Sequence, residues 1–134
     1  MAFVTVTAAN VRPTTTRARP VSYEASQAIT AGMVVHLDAT TNKVAKATSE
    51  TASLNVVGIS MSNASADGDF IYVQNSGEID TGGTVTEGAR YYLSENPGII
   101  GQFSDLSAGE YVEIYYATSA STAVIDITQT GVVI

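Results

Sequence analysis

The sequence predicts an all-β protein, a small barrel or sandwich led by an extended N-terminal arm. Three observations predict it. Apolar residues recur in short alternating runs, eleven glycines punctuate those runs, and no stretch carries the 3.6-residue period of a helix. With 134 residues the chain suits one domain, large enough to bury roughly two thirds of its unfolded surface. The expected division is an arm over residues 1–20 and a β-barrel over 21–134.

The arm is read from two features. Residues 3–7, Phe3-Val4-Thr5-Val6-Thr7, alternate with high β propensity. Residues 12–20 hold Arg12, Arg17 and Arg19 between Pro13 and Pro20. Proline fixes φ, lacks a donor and pushes its predecessor toward extended conformations, so this stretch cannot be a helix. Fully stretched, twenty residues reach at most about 66 Å. Such a segment is expected to be mobile alone, because ordering costs on the order of 1–2 kcal/mol per residue, and its removal is expected to leave a folded body.

From Val21 onward short strands alternate with turns. Residues 33–37 are an apolar strand ended by Asp38 to Asn42. Residues 56–59 are a buried strand, and Ala66-Asp67-Gly68-Asp69 is a strong turn signal before the strand 70–73. Ile79 precedes Gly82-Gly83, and the strand 90–93 precedes Asn96-Pro97-Gly98. In 111–116, Val112, Ile114 and Tyr116 are expected on one face; in 123–127, Ala123, Ile125 and Ile127 do the same. A quasi-repeat joins these pieces. Ile29-Thr30-Ala31-Gly32 and the strand to Leu37 match Val85-Thr86-Glu87-Gly88 and the strand to Leu93 at an offset of 56, which also brings Val44 onto Ile100. Two similar halves closing one barrel are expected.

Charge divides the chain. Residues 1–20 carry three arginines and no acid, whereas the body carries Lys43, Lys46 and Arg90 against all 13 acids. An acidic body argues against nucleic-acid binding, which needs a positive face, and a cationic lead reads as an arm with its own partner. No apolar run approaches the roughly 18 residues of a membrane span, and the first ten residues lack the pattern of a signal peptide. The expectation is therefore no membrane partner and synthesis in the cytoplasm. No cysteine is present, so neither disulfides nor thiolate chemistry is available.

Catalysis finds no foothold in the residue types. A nucleophile needs a base beside it, and the one histidine, His36, alternates with Val35 and Leu37 as a half-exposed strand residue. Asp67-Gly68-Asp69 is a close acidic pair, but calcium wants six to eight oxygens, and apolar strand follows Asp69. Gly82-Gly83 lacks the lysine and helix of a phosphate loop. The chain is thus read as non-enzymatic, with no catalytic, cofactor or metal residues. The residues that should bind a partner are Phe3, Val4, Val6, Arg12, Arg17 and Arg19. In the pairs Tyr91-Tyr92 and Tyr115-Tyr116 one ring should face inward and one outward; Tyr91 and Tyr115 are the expected interface aromatics.

The order of phrases resembles a known family. Ala28 to Leu37, then Asn42-Lys43-Val44-Ala45-Lys46-Ala47 and Val56-Val57-Gly58-Ile59-Ser60, then Val73 to Ile79 and Val85 to Ser94, are similar to the small β-proteins that decorate the heads of tailed bacteriophages, also called cement proteins. The resemblance covers about residues 25–118 and is one of phrase order, not of an invariant motif. It implies a β-barrel or β-tulip domain, a homotrimer on the outer capsid surface, and a virion location. There the major capsid protein would be the partner and shell stabilisation the role. The arm, longer than that family's usual lead, would lie over neighbouring capsid subunits, Phe3 to Thr7 adding as a strand. A tail or fibre module and a carbohydrate-binding β-domain are the alternative readings.

Overall fold

The structure is a computed structural model and describes residues 3–14, 20–49 and 55–133. Among them the strands in chain order are β1 (Val11–Pro13), β2 (Val21–Glu24), β3 (Val34–Asp38), β4 (Lys43–Lys46), β5 (Val56–Ser60), β6 (Phe70–Gln74), β7 (Gly77–Thr81), β8 (Arg90–Leu93), β9 (Ile100–Gln102), β10 (Glu110–Ala117) and β11 (Thr122–Val133). Among the described residues two short 3-10 turns accompany them, Ala8–Asn10 and Phe103–Asp105. The protein is all-β. The barrel expected over residues 21–134 is instead two antiparallel sheets, neither of them closed.

The two sheets repeat one another. The first runs β2-β6-β5-β3-β4; the second runs β1-β7-β11-β10-β8-β9, which is the same path with β1 added at its edge. The quasi-repeat in the sequence is the local sign of this duplication. Gly32 (φ +94) and Gly88 (φ +82) each occupy a left-handed turn position just before β3 and β8. The same bond closes both turns: Met33 N–H donates to Thr30 O, and Ala89 N–H to Thr86 O. The following hairpins turn on Asn42 (φ +58) and Gly98 (φ +74), again 56 residues apart, since asparagine is the side chain that best tolerates that conformation.

Two apolar clusters form among the described residues. One lies within the first sheet and joins Ala25, Ile29, Val35, Val44, Ile71 and Val73. The other is larger and joins Val34 and Ile59 of the first half to Ile79, Leu93, Ile100, Ile114 and Tyr115 of the second. Val34 and Val35 are adjacent and both fully buried, one in each cluster. A strand alternates its side chains, so β3 is a wall with core on either side.

The halves close differently. In the first, Ser26 N–H donates to Val44 O at 2.9 Å and a single parallel bridge joins Ala25 to Val44, drawing β2 toward β4. In the second, the carbonyl of Ile100, the counterpart of Val44, accepts instead from Val4 N–H at 2.9 Å. Thr7 N–H donates to Gly82 O at 2.8 Å, and β1 then pairs with β7 in the register Val11↔Thr81, Arg12↔Asp80, Pro13↔Ile79. Residues 3–13 therefore lie in the seam of the second half.

This corrects the free arm expected over residues 1–20. Residues 3–14 pack back on the body, Val4 and Val11 are each 7% exposed, and Val4 belongs to the larger cluster. The alternating Phe3 to Val6 and Val11 carry enough apolar surface to offset their ordering, each full valine burial being worth about 1.5–3 kcal/mol. The proline-bracketed part of the sequence concealed that. Residues 15–19, with Arg17 and Arg19, lie outside the described residues.

The seam is cut to fit. A Cβ on Gly83 would stand 2.5 Å from the Thr5 carbonyl oxygen, and one on Gly82 2.7 Å from that of Thr7. Backbone cannot yield as a flexible side chain does. Gly83→Ala is expected to lower stability by roughly 1–3 kcal/mol, read as an earlier midpoint in urea, and to expose the 3–13 segment to proteolysis. An unchanged midpoint and intact segment would contradict this account of the seam.

Candidate interaction surface

β8 and β10 pair so that Glu113 lies opposite Tyr92 and Tyr115 opposite Tyr91. A register shift between Glu113 and Tyr115 interrupts β10, and this bulge decides where the tyrosines go. Such an insertion breaks the two-residue alternation. Val112, Ile114 and Tyr115 are all buried, while Tyr116 is 38% exposed. The expectation that Val112, Ile114 and Tyr116 share a face fails at that step.

The expected interface aromatics are accordingly corrected. Tyr91 and Tyr115 are core residues, 3% and 1% exposed, with ring centroids 5.6 Å apart and planes tilted by 58°. The Tyr91 hydroxyl oxygen accepts from the Thr86 N–H at 2.8 Å and from Gln102 Nε2 at 3.2 Å. The Tyr115 hydroxyl is buried with no hydrogen-bond partner, and burial pushes its ionisation far upward, the neighbouring Tyr91 adding to it. Loss of each hydroxyl should differ accordingly. Tyr91→Phe is expected to cost about 1 kcal/mol by stranding the Thr86 amide, and Tyr115→Phe to be neutral or slightly stabilising. Urea denaturation of both variants checks the contrast; equal losses would refute it.

The outward rings are Tyr92 and Tyr116, which the choice of Tyr91 and Tyr115 as interface aromatics places inward, together with Tyr111 and Phe103. Phe103 and Tyr111 stack at 4.4 Å with planes 12° apart, and Tyr92 stands edge-on to both, at 5.9 and 6.0 Å. Offset and edge-to-face pairs of this kind are favourable beyond their buried area. Phe103 remains 57% exposed. Beside the cluster one guanidinium nitrogen of Arg90 donates to both carboxylate oxygens of Glu113, at 3.0 and 2.9 Å, and the guanidinium lies 6.0 Å from the Tyr116 ring centre. The result is an interlocked aromatic cluster bordered by one ion pair, and its exposed Phe103 ring can contact an apolar side chain or a sugar. The available signal was the parity of Arg90-Tyr91-Tyr92-Leu93, where Leu93 fixes Tyr91 as inward.

A second exposed pair sits on the first half. Phe70 and Tyr72 are 67% and 58% exposed on β6, opposite Glu24 and Ser22 of the edge strand β2. The preceding turn is held by Asp69, whose carboxylate accepts from the Ser65 hydroxyl and the amides of Ser65 and Ala66. Asp67, the other half of the acidic pair, instead joins Lys43, which also contacts Glu24 at 3.0 Å.

Those three donors hold Asp69 below its ordinary pKa, the Ser65 hydroxyl contributing most. A carboxyl depressed on folding stabilises above its unfolded value and loses that contribution as pH falls through the folded one. Stability is thus expected to decline below about pH 4. Asp69→Asn should flatten that decline, measured as urea midpoints from pH 2 to 6. An identical acid slope in the variant would exclude Asp69 as a contributor.

Of the residues expected to bind a partner, Val4 is buried and Phe3 and Val6 are half-buried in the seam. Arg12 is exposed and stands 3.9 Å from Asp80 within its own chain. His36 is half-buried on β3, and burial lowers its pKa against the opposing pull of Asp38. Among the described residues no three His, Asp or Glu side chains converge to hold a metal. The chain matches no protein-family model and no curated protein.

Proposed function

We propose that this chain is a non-catalytic structural protein that binds protein subunits of a viral shell, in the manner of the head-decoration proteins its sequence resembles. The observation that carries the reading is the stacked Phe103–Tyr111 pair with Tyr92 at its edge, an apolar surface of fixed geometry on a body with few charges. Aromatic residues are enriched, and charged ones depleted, at the centre of protein interfaces. Weak contacts of this size suffice when many copies sit on one symmetric particle. The major capsid protein is the proposed partner, and the outer capsid surface the proposed location.

The test is co-sedimentation with undecorated shells assembled from the major capsid protein of a tailed bacteriophage. Saturable binding is expected, weakened at least tenfold by Phe103→Ala with Tyr111→Ala while the variant's urea midpoint stays near that of the parent. Absence of co-sedimentation would overturn the reading. A second reading, carbohydrate binding, is favoured by the exposed Phe103 ring of the same cluster, which can meet the face of a sugar. Binding on a glycan array that the double variant abolishes would support it in place of the first.

A further inference from the structure

The N-terminal segment is held as a ligand would be. Its hydrogen bonds over residues 3–13 run to the β7 edge, Gly82 and Ile100. Its side chains and carbonyls lie against glycines. Besides Gly82 and Gly83, a Cβ on Gly101 would stand 2.8 Å from the Phe3 ring and one on Gly32 2.5 Å from Val6 Cγ1. This seat is shaped for these residues, and Val4 and Val11 must fill it to keep apolar surface from water. The covalent link to the rest of the chain is residues 14–20, which span at most about 25 Å.

We propose that residues 3–13 are an exchangeable strand, so that the seat of one copy takes the N-terminal segment of a second copy and the copies join in a closed ring. The occupant is a second copy because the seat's glycines fit Phe3 to Thr7 and Val11, and every copy carries the same segment. Exchange preserves every contact of the seam and changes only the path of the tether, which is why swapping identical elements is a low-cost route to oligomers. A seven-residue tether gives the segment an effective concentration of order millimolar for its own seat. Copies crowded on a surface or refolded together at that concentration compete with it. This inference does not rest on the proposed partner, because it is read on the isolated protein.

The chain lacks cysteine, so exchange can be trapped covalently. Arg12 and Asp80 are directly opposed across β1 and β7. A full-length Arg12→Cys chain and a tagged full-length Asp80→Cys chain are mixed, unfolded, and refolded together at about millimolar concentration in a glutathione redox buffer. A disulfide-linked pair of one tagged and one untagged chain is expected in at least fivefold excess over a control pairing Arg12→Cys with Thr40→Cys. Wild-type protein treated the same way should sediment as an oligomer that persists on dilution. Cross-linking no greater than the control overturns the proposal, as does a wild-type chain that stays monomeric. An oligomer without the 12–80 link overturns it equally, since its copies are then joined elsewhere.

Discussion

The carbonyl of Ile100 governs how the second half of this protein closes. Its counterpart in the first half, Val44 O, is met by Ser26, which follows β2 directly, so that sheet draws together unaided. The residue corresponding to Ser26 is Gly82, and it does not reach Ile100. Its carbonyl accepts from Thr7, while Ile100 accepts from Val4. A buried carbonyl without a donor costs free energy comparable to a lost hydrogen bond, and an inserted segment supplies the donor here. Two glycines in succession at 82 and 83 are the local consequence, because side chains there would meet the inserted backbone.

That closure matters beyond its own edge, because the larger core is shared. Val34 and Ile59 from the first sheet and Ile79, Leu93 and Ile114 from the second belong to the same apolar cluster as Val4. Water admitted at the seam therefore reaches residues of both halves. β3 borders both clusters, with Val34 in one and Val35 in the other. Close-packed interiors of this kind respond to small volume changes. The two copies of one five-strand path thus close with different donors, Ser26 in the first half and Val4 in the second.

Much of this was legible in the sequence. Strand after strand was marked by alternation, and the offset of 56 between Thr30-x-Gly32 and Thr86-x-Gly88 reported a duplication that the sheet order bears out. What the sequence could not show was which halves share a sheet, so one barrel was expected where two sheets form. The seat of residues 3–13 was hidden because its determinants are glycines distant in the chain, and a glycine carries no sign of what approaches it. The surface was misread for a different reason. Periodicity assumes an unbroken register, and the bulge after Glu113 moves Tyr115 inward and Tyr116 outward. For Tyr91 the register was unbroken, and Leu93 two residues on already fixed its side.

The bulge also shapes what the surface can offer. By turning Tyr115 into the core beside Tyr91, it sets aromatic rings on both faces of β10, with Tyr116 passing outward toward Arg90. The outer rings of Tyr92, Phe103 and Tyr111 hold one another by stacking and edge contacts. Two of them stand on paired strands, and the third follows β9 in a turn where Gln102 N–H donates to Asp105. Ordering a free side chain at an interface costs about 0.5–1.5 kcal/mol. Rings already fixed by their neighbours avoid most of that cost, so a partner meeting this face gains nearly the full benefit of covering Phe103. Such preorganisation, more than the number of exposed apolar residues, is what distinguishes this face from the isolated Phe70 and Tyr72 on the first half.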